Sequence, residues 1–360
     1  MAVEIDGSKL EGGGQILRSA IAFAAVLDKP VIVNNIRAKR KNPGLRPQHL
    51  HGILAVKQLT DAKVKGTHVG SRQIEFFPQT RRGGKLTVDI GTAGAISLVL
   101  QAIMVVAPFC EQTTVAILKG GTNVAWSPPI DYLQHVFLIR LQQMGFIGQL
   151  DIINRGYYPK GGGHVTATLA PIASLTPLTL KKSEEIPKIS CISHCGSLPR
   201  HVAERQANAA KHELLQAGYL LETIKIEHIE NTLSPGSGIS LWATNNNMLI
   251  GADALGRRGL RAEKVGEGAA LRIMQELKTN APVDHNQADM LIPYLALAAG
   301  SSSIFISNLT LHTMTNIHVV EQFLGIRFAV KGKLDHPAQI SVKGIGLEGA
   351  SASPESSQND

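Results

Sequence analysis

The sequence predicts an α+β fold: a large domain of three repeated units, each two helices on a small sheet of about four strands, with a smaller α/β domain inserted. Three observations lead there. A glycine-led apolar helix, a β-branched strand and a second helix recur in the same order, a pattern of helix pairs on sheets. A stretch with a different pattern separates the second and third occurrences. The length, 360 residues with 44% hydrophobic and 18% charged, exceeds what one core usually holds.

The first unit opens with Gly12-Gly-Gly14, runs through an apolar helical stretch at 15–27 and enters the β-rich Val31-Ile-Val-Asn-Asn-Ile36. A basic loop leads to a second helix that begins Arg46-Pro47-Gln48-His49 and ends near Leu59, with strand-like segments up to Phe77. The second unit has Gly91 and Gly94, a helix at 95–106, a strand at 113–118, and a helix from Pro128-Pro129 to Met144. In the third unit 289–299 reads as the apolar helix, 303–306 as the strand and 315–324 as the second helix. Thr315 or Asn316 would then cap the last helix.

Residues 184–280 read as the insert: a strand at 188–192, an amphipathic helix at 203–216 with Ala207, Ala210, Leu214 and Leu215 on its apolar side, strands near 223–229 and 239–243, and a helix at 266–277. The large domain then comprises 1–183 and 281–345. The tail, 346–360, lacks apolar anchors from Ala350 onward and is expected to be disordered.

Composition narrows the class. The start, Met1-Ala-Val-Glu-Ile-Asp, is no export signal, and the most apolar segment, 95–109, is short and interrupted by Gln101 and Pro108. A cytoplasmic protein with no membrane partner is expected. Three cysteines, Cys110, Cys191 and Cys195, make no disulfide framework, which fits a reducing compartment. Cys191, His194 and Cys195 have the spacing of a metal corner without a second pair, so buried thiols stand as the other reading.

A net charge of +8 makes polyanions fitting partners. The basic residues bunch at Arg37, Lys39, Arg40, Lys41 and Arg46, at Arg81, Arg82 and Lys85, and at Arg257, Arg258, Arg261 and Lys264. With 4% aromatics a long stacking platform for single strands is not expected; if RNA binds, phosphate contacts near an end should dominate.

The most specific string is Arg155-Gly-Tyr-Tyr-Pro159-Lys160-Gly161-Gly162-Gly163-His-Val165. Three glycines between a proline and a strand allow close backbone approach, either in a tight turn or around a phosphate. The whole string resembles the signature of the RNA 3'-terminal phosphate cyclase family. Further similar segments run in family order from about residue 5 to about residue 330: Asp6-Gly7, Glu11-Gly-Gly-Gly-Gln-Ile-Leu-Arg18-Ser19, Ile36-Arg37-Ala38, Pro43-Gly44-Leu45, Gln48-His49-Leu50, residues 94–101, Pro199-Arg200-His201-Val-Ala-Glu204 and His312-Thr-Met-Thr315-Asn316-Ile317.

The resemblance implies a defined chemistry. A 3'-phosphate monoester is a poor electrophile and must be activated. The family moves AMP from ATP to a histidine nitrogen, then to the RNA 3'-phosphate. The 2'-hydroxyl then closes a 2',3'-cyclic phosphate and expels AMP. Imidazole, with a pKa of about 6.5, keeps a nucleophilic nitrogen at working pH.

By the resemblance His312 is that nucleophile, one of 13 histidines, with His318 its rival. Glu11 is the acid facing a divalent metal, Mg or Mn, that offsets the triphosphate's charge. Arg18, Arg40 and Gln48, with Arg37 and His49 beside them, are assigned to the triphosphate or the RNA end. Gln101 and the run Asn286-Gln287-Ala288-Asp289-Met290 are assigned to ATP. Here the chain departs from the family pattern, a Tyr or His followed by Leu-Ala-Asp-Gln, which leaves the side-chain contacts to adenine open. The implied partners are RNA 3'-phosphate ends and ATP, with a dimer left open.

Other readings follow from the same features. A cyclase-like paralogue of ribosome assembly shares the fold without the reaction; a nucleophilic histidine separates the two. Enolpyruvyl transferases also build lobes from repeated helix-pair units but lack the 155–165 string. A basic RNA-binding protein without activity is the blandest alternative.

Overall fold

The computed structural model describes residues 2–350. In the first unit β1 (Val3–Asp6) leads through α1 (Gly14–Val26) to β2 (Val31–Asn34), then α2 (Pro47–Leu59), β3 (Lys63–Lys65) and β4 (Ile74–Phe77). β1 and β2 pair in parallel, which requires a crossover, and α1 is that crossover. β4 then pairs antiparallel with both β2 and β3, giving the order β1-β2-β4-β3.

The second unit repeats the plan with β5 (Lys85–Asp89), α3 (Ile96–Val106), β6 (Thr114–Gly120), α4 (Ile130–Tyr132), α5 (Leu138–Gln142), β7 (Gly148–Asn154) and β8 (Gly163–Leu169). Its sheet order, β5-β6-β8-β7, is equivalent. The expected single helix from Pro128-Pro129 to Met144 starts at Ile130 and is divided by a π-helical turn at Leu133–Phe137 between α4 and α5.

β9 (Thr179–Leu180) begins the third unit, and the chain then leaves it. β10 (Lys188–Gly196), α6 (His201–Gln216), β11 (Leu221–Ile229), β12 (Gly236–Thr244), β13 (Leu249–Leu255) and α7 (Ala262–Leu277) form a separate sheet, ordered β11-β10-β12-β13, with both helices packed on it. This segment has its own apolar cluster, including Ile189, Leu214, Leu241, Ile250 and Ile273. The chain returns through α8 (His285–Leu297), β14 (Ser301–Ile306), α9 (Leu311–Leu324), β15 (Ala329–Lys331) and β16 (Ala338–Lys343). The sheet β15-β16-β14-β9 closes the third unit in the same register logic.

One apolar cluster joins the three units. Its centre is α1, buried from Ile16 to Val26 on nearly every face and packed against α2, α3 and α9. From Ala20 to Val26 this helix is apolar on every side and has no solvent face to present, so it is central by composition.

Two helix starts differ from expectation. α8 begins at His285, not 289, because the Asp284 carboxylate caps it, accepting from the Asn286 and Gln287 amides at 2.9 Å each. α9 begins at Leu311, not 315, because the Thr310 hydroxyl accepts from the Thr313 amide at 3.1 Å. Thr315 and Asn316 are therefore buried helical residues and not caps.

The tail expected from 346 is ordered at its start: the amides of Gly346, Leu347 and Gly349 donate to the carbonyls of Ala298, Leu297 and Ala173. The rest of that segment, 351–360, lies outside the described residues. Among the described residues no helix is long and apolar enough to cross a membrane.

Candidate active site

Equivalent ends of the three units meet at one place. A cleft of about 760 Å³ is lined by Glu11 and Gly14 at the start of α1, Gln48 and His49 at the start of α2, Leu98 and Gln101 on α3, His285, Asn286 and Asp289 at the start of α8, and Thr310 and His312 at the start of α9. The first turn of a helix carries unpaired N–H groups and the positive end of its dipole. Several such turns facing one cleft, with Arg18, Arg37 and Arg40 in its walls, make a site for a polyanion.

His312 stands in the first turn of α9. α9 is fixed from beneath: Asn316 accepts a hydrogen bond from the Ser19 hydroxyl of α1 and donates to the Asp289 carbonyl of α8. Nδ1 of His312 lies 3.3 Å from a Glu11 carboxylate oxygen, with His312 53% exposed and Glu11 only 12%. Arg40 forms an ion pair with the other carboxylate oxygen. Burial, then the charges of Arg18, Arg40 and His285, lowers the His312 pKa from its ordinary value and favours the neutral ring. The Glu11 carboxylate thus stands at Nδ1, and Nε2 is the ring nitrogen left without a contact to it.

The glycines before α1 follow from this packing. A Cβ on Gly13 would meet the Glu11 carboxylate at 2.6 Å, and one on Gly14 would collide with the His49 ring. His49 Nδ1 accepts from the Arg46 amide at 3.1 Å, which leaves its Nε2 proton against the backbone of Gly14. Burial, reinforced by Arg18, Arg37 and Arg46, pushes its pKa down to about 3, so His49 is a neutral donor. Gln48 accepts from the Ala95 amide at 3.3 Å and so ties α2 to the start of α3.

Arg18 and Asp289 face each other in charge. Burial lowers Arg18 to about 10 against the pull of Asp289. Burial also raises Asp289 to about 7, opposed by Arg18 and His285. Gln101 donates to the Met290 sulfur at 3.2 Å, and both line the cleft.

The run 286–290 does not act as a unit. Asn286, Asp289 and Met290 line the cleft, whereas Gln287 and Ala288 are fully buried behind it. Gln287 accepts from Arg140 Nε at 3.0 Å and donates to the Leu249 carbonyl at 3.1 Å. Five successive helical residues cannot share one face, so the side chains of Gln287 and Ala288 drop out of the predicted ATP set. The others come together: Glu11, Arg18, Arg37, Arg40, Gln48, His49, Gln101 and His312 all line the cleft, and His318 does not.

The family model for RNA 3'-terminal phosphate cyclase matches residues 9–330. The chain belongs to the RNA 3'-terminal phosphate cyclase family. A Pyrococcus furiosus protein described as RNA 3'-terminal phosphate cyclase is 47% identical over 338 residues, which cover 94% of this chain and 98% of that relative. One from Ignicoccus hospitalis with the same description is 46% identical, covering 95% and 99%. Among solved structures, an EPSP synthase from Acinetobacter baumannii is 9% identical and covers 97% of this chain and 66% of its own; at a TM-score of 0.25 that likeness carries no argument.

The 155–165 string of this cyclase-family chain lies outside the cleft lining and serves as a joint. Arg155 pairs with Asp131 at 2.7 Å and with Glu227 of β11 at 2.6 Å, and the Tyr157 hydroxyl lies 2.9 Å from His194 Nδ1 of β10. The glycines let backbones touch: a Cβ on Gly163 would meet the Gly120 carbonyl at 2.9 Å. The tight-turn reading therefore holds for this string. Among the described residues Cys191, His194 and Cys195 form no metal-binding group.

Sequence reasoning missed Trp126, Asp253 and His285, which also line the cleft. Asp253 comes from β13 of the inserted segment, and burial raises its carboxyl to about 6. His285 lies 2.5 Å from Glu276, and that partner outweighs burial to raise its pKa to about 9.

Proposed function

We propose that this cyclase-family enzyme converts an RNA 3'-terminal phosphate to a 2',3'-cyclic phosphate at the expense of ATP, through a covalent AMP on His312. The observation that carries the proposal is His312 itself: a half-exposed imidazole kept neutral, with Nδ1 against Glu11 and Nε2 available to a cleft lined by arginines and helix N-termini.

In the first step His312 Nε2 attacks the α-phosphorus of ATP. The N–P bond forms as the P–O bond to pyrophosphate breaks. Arg18, Arg37 and Arg40 are placed to share the triphosphate's charge. In the second step an oxygen of the RNA 3'-phosphate attacks the same phosphorus and releases the histidine. In the third, the ribose 2'-oxygen attacks the terminal phosphorus, loses its proton and expels AMP. Each transfer is separately easier than direct displacement of oxide.

Glu11 fits a divalent ion in one respect: the carboxylate oxygen that stands 3.3 Å from His312 Nδ1 is buried and accepts no hydrogen bond. A Mg or Mn ion carried on the phosphates needs few protein carboxylates, and Glu11 would supply one. Bound there, the ion would neutralise charge on the departing pyrophosphate. Gln101, Asn286, Asp289 and Met290 would face the nucleoside, and His49 with Gln48 the RNA end. In this reading 1–183 and 281–345 form the catalytic body, and the inserted 184–280 adds Asp253 to the wall.

The test is direct. An RNA with a labelled 3'-phosphate, incubated with the protein, ATP and Mg or Mn, should become resistant to phosphatase and migrate as a cyclic end. Phosphatase-sensitive ends after complete incubation would reject the proposal.

A further inference from the structure

Trp126 is 99% exposed and yet lines the cleft. Its backbone is left-handed, with φ of +69°, a conformation that a bulky side chain adopts only when its surroundings impose it. The surroundings do impose it. On one side Val124 packs with Ala95 and Leu98 against the start of α3. On the other, Ser127 Oγ donates to the Val124 carbonyl at 3.1 Å, and Pro128-Pro129 leads into α4. Beneath, Asn123 is tied to Asp131 at 3.1 Å and Ile130 returns to the Thr122 carbonyl. The arch is anchored at both ends, and the indole at its crown has nothing of its own chain to cover it.

An exposed indole on an anchored backbone arch, beside the arginines of the cleft, is a stacking platform for a nucleobase. The cleft holds two candidate bases. Adenine of ATP belongs with Gln101, Asn286 and Met290 if the proposed function holds, whereas full exposure puts Trp126 at the rim, where a chain enters from solvent. We infer that Trp126 stacks on the 3'-terminal base of the RNA substrate and holds its phosphate toward His312. This rests on the proposed function. It also fits the composition: a chain with few aromatics cannot line a strand, but one indole suffices for a terminus.

The test separates the inference from the reading beneath it. Trp126→Ala should raise KM for a 3'-phosphate oligonucleotide by roughly 5- to 100-fold, with Trp126→Phe closer to wild type. Labelling of the protein by α-labelled ATP, which needs no RNA, should be unchanged. An oligonucleotide with an abasic 3'-terminal nucleotide should lose the same factor on the wild type and nothing further on Trp126→Ala. The chain has two tryptophans, so in a Trp242→Phe background the remaining fluorescence reports Trp126. It should be quenched by the 3'-phosphate oligonucleotide and not by its abasic-ended form, a readout independent of turnover. Three results would each overturn the inference: an unchanged RNA KM in Trp126→Ala, a loss of ATP labelling in that variant, which would place adenine on the indole, or an indole already shielded without RNA in a concentration-dependent dimer. Failure of ATP labelling in the wild type would instead strike the proposed function, leaving the quenching comparison to judge Trp126.

Discussion

Nδ1 of His312 and a carboxylate oxygen of Glu11 lie 3.3 Å apart, one from the first turn of the last helix and one from the loop before the first. The pair joins the third unit to the first across the cleft. It also distinguishes the two ring nitrogens, since the carboxylate stands against Nδ1 and not against Nε2. Removing that charge in Glu11→Ala should slow transfer of AMP to the protein on the order of 10²-fold, measured by single-turnover labelling. A rate within twofold of wild type would leave the pair without a role.

The charges around His312 set its pH dependence. Burial, then Arg18, Arg40 and His285, favours the neutral ring, so the acidic limb of the labelling rate should fall below the ordinary imidazole value of about 6.5. Arg40→Gln removes one positive charge and should move that limb upward. A pH profile with its limb at or above the ordinary value, or unmoved in the variant, would count against this arrangement.

The Arg155 joint should show as stability. Burial alone would raise the Asp131 carboxyl, but Arg155 overcomes this and holds it well below the usual range. A carboxyl depressed on folding contributes stability above its unfolded pKa of about 4, and the contribution is lost as pH falls through the folded value. Arg155→Met should therefore cost about 3–5 kcal/mol in denaturant unfolding at pH 7, with the difference shrinking on acidification below about pH 4. An equal difference at pH 7 and pH 2 would contradict the assignment.

Asp289 should behave in the opposite sense. Its carboxyl is raised to about 7 by burial, against an unfolded value of about 3.9, so its favourable contribution is present below pH 4 and lost as pH rises through 7. Asp289→Asn cannot ionise, and it should be more stable than wild type at pH 8, on the order of 1 kcal/mol or more, with no gain at pH 4. Thermal unfolding at the two pH values measures this.

Two glutamines test the division of the cleft wall from the core. Gln287→Ala should cost about 1–3 kcal/mol by leaving the Arg140 guanidinium and the Leu249 carbonyl short of a partner, with KM for ATP unchanged. Gln101→Ala should raise KM for ATP with little loss of stability. The reverse pattern, read from unfolding curves and ATP titration, would return Gln287 to the nucleotide.

The repeat was legible because each crossover helix is apolar and each following strand β-branched, and those periods survive when identity between units is lost. The opening strands were not: β1 has four residues and β9 two, and β9 exists only by pairing with Ser303 and Ile304. The starts of α8 and α9 were placed late because their first turns are polar and apolar spacing begins afterwards. Asp284 and Thr310 are caps of ordinary residue type, and the Thr310 cap puts His312 in the first turn of α9. The arginines and polar residues of the cleft are legible only through the motif resemblance. Trp126 and Asp253 carry no local signal, since only the packing of α3 against the 122–129 arch and of β13 against the body brings them to the cleft.

The most direct measurement is covalent labelling of the protein with α-labelled ATP and a divalent metal, without RNA. The account predicts a label that is acid-labile and base-stable, as a phosphorus–nitrogen bond should be, retained in His318→Ala and abolished in His312→Ala. A wild type that takes no label, or a label that survives His312→Ala, would contradict it.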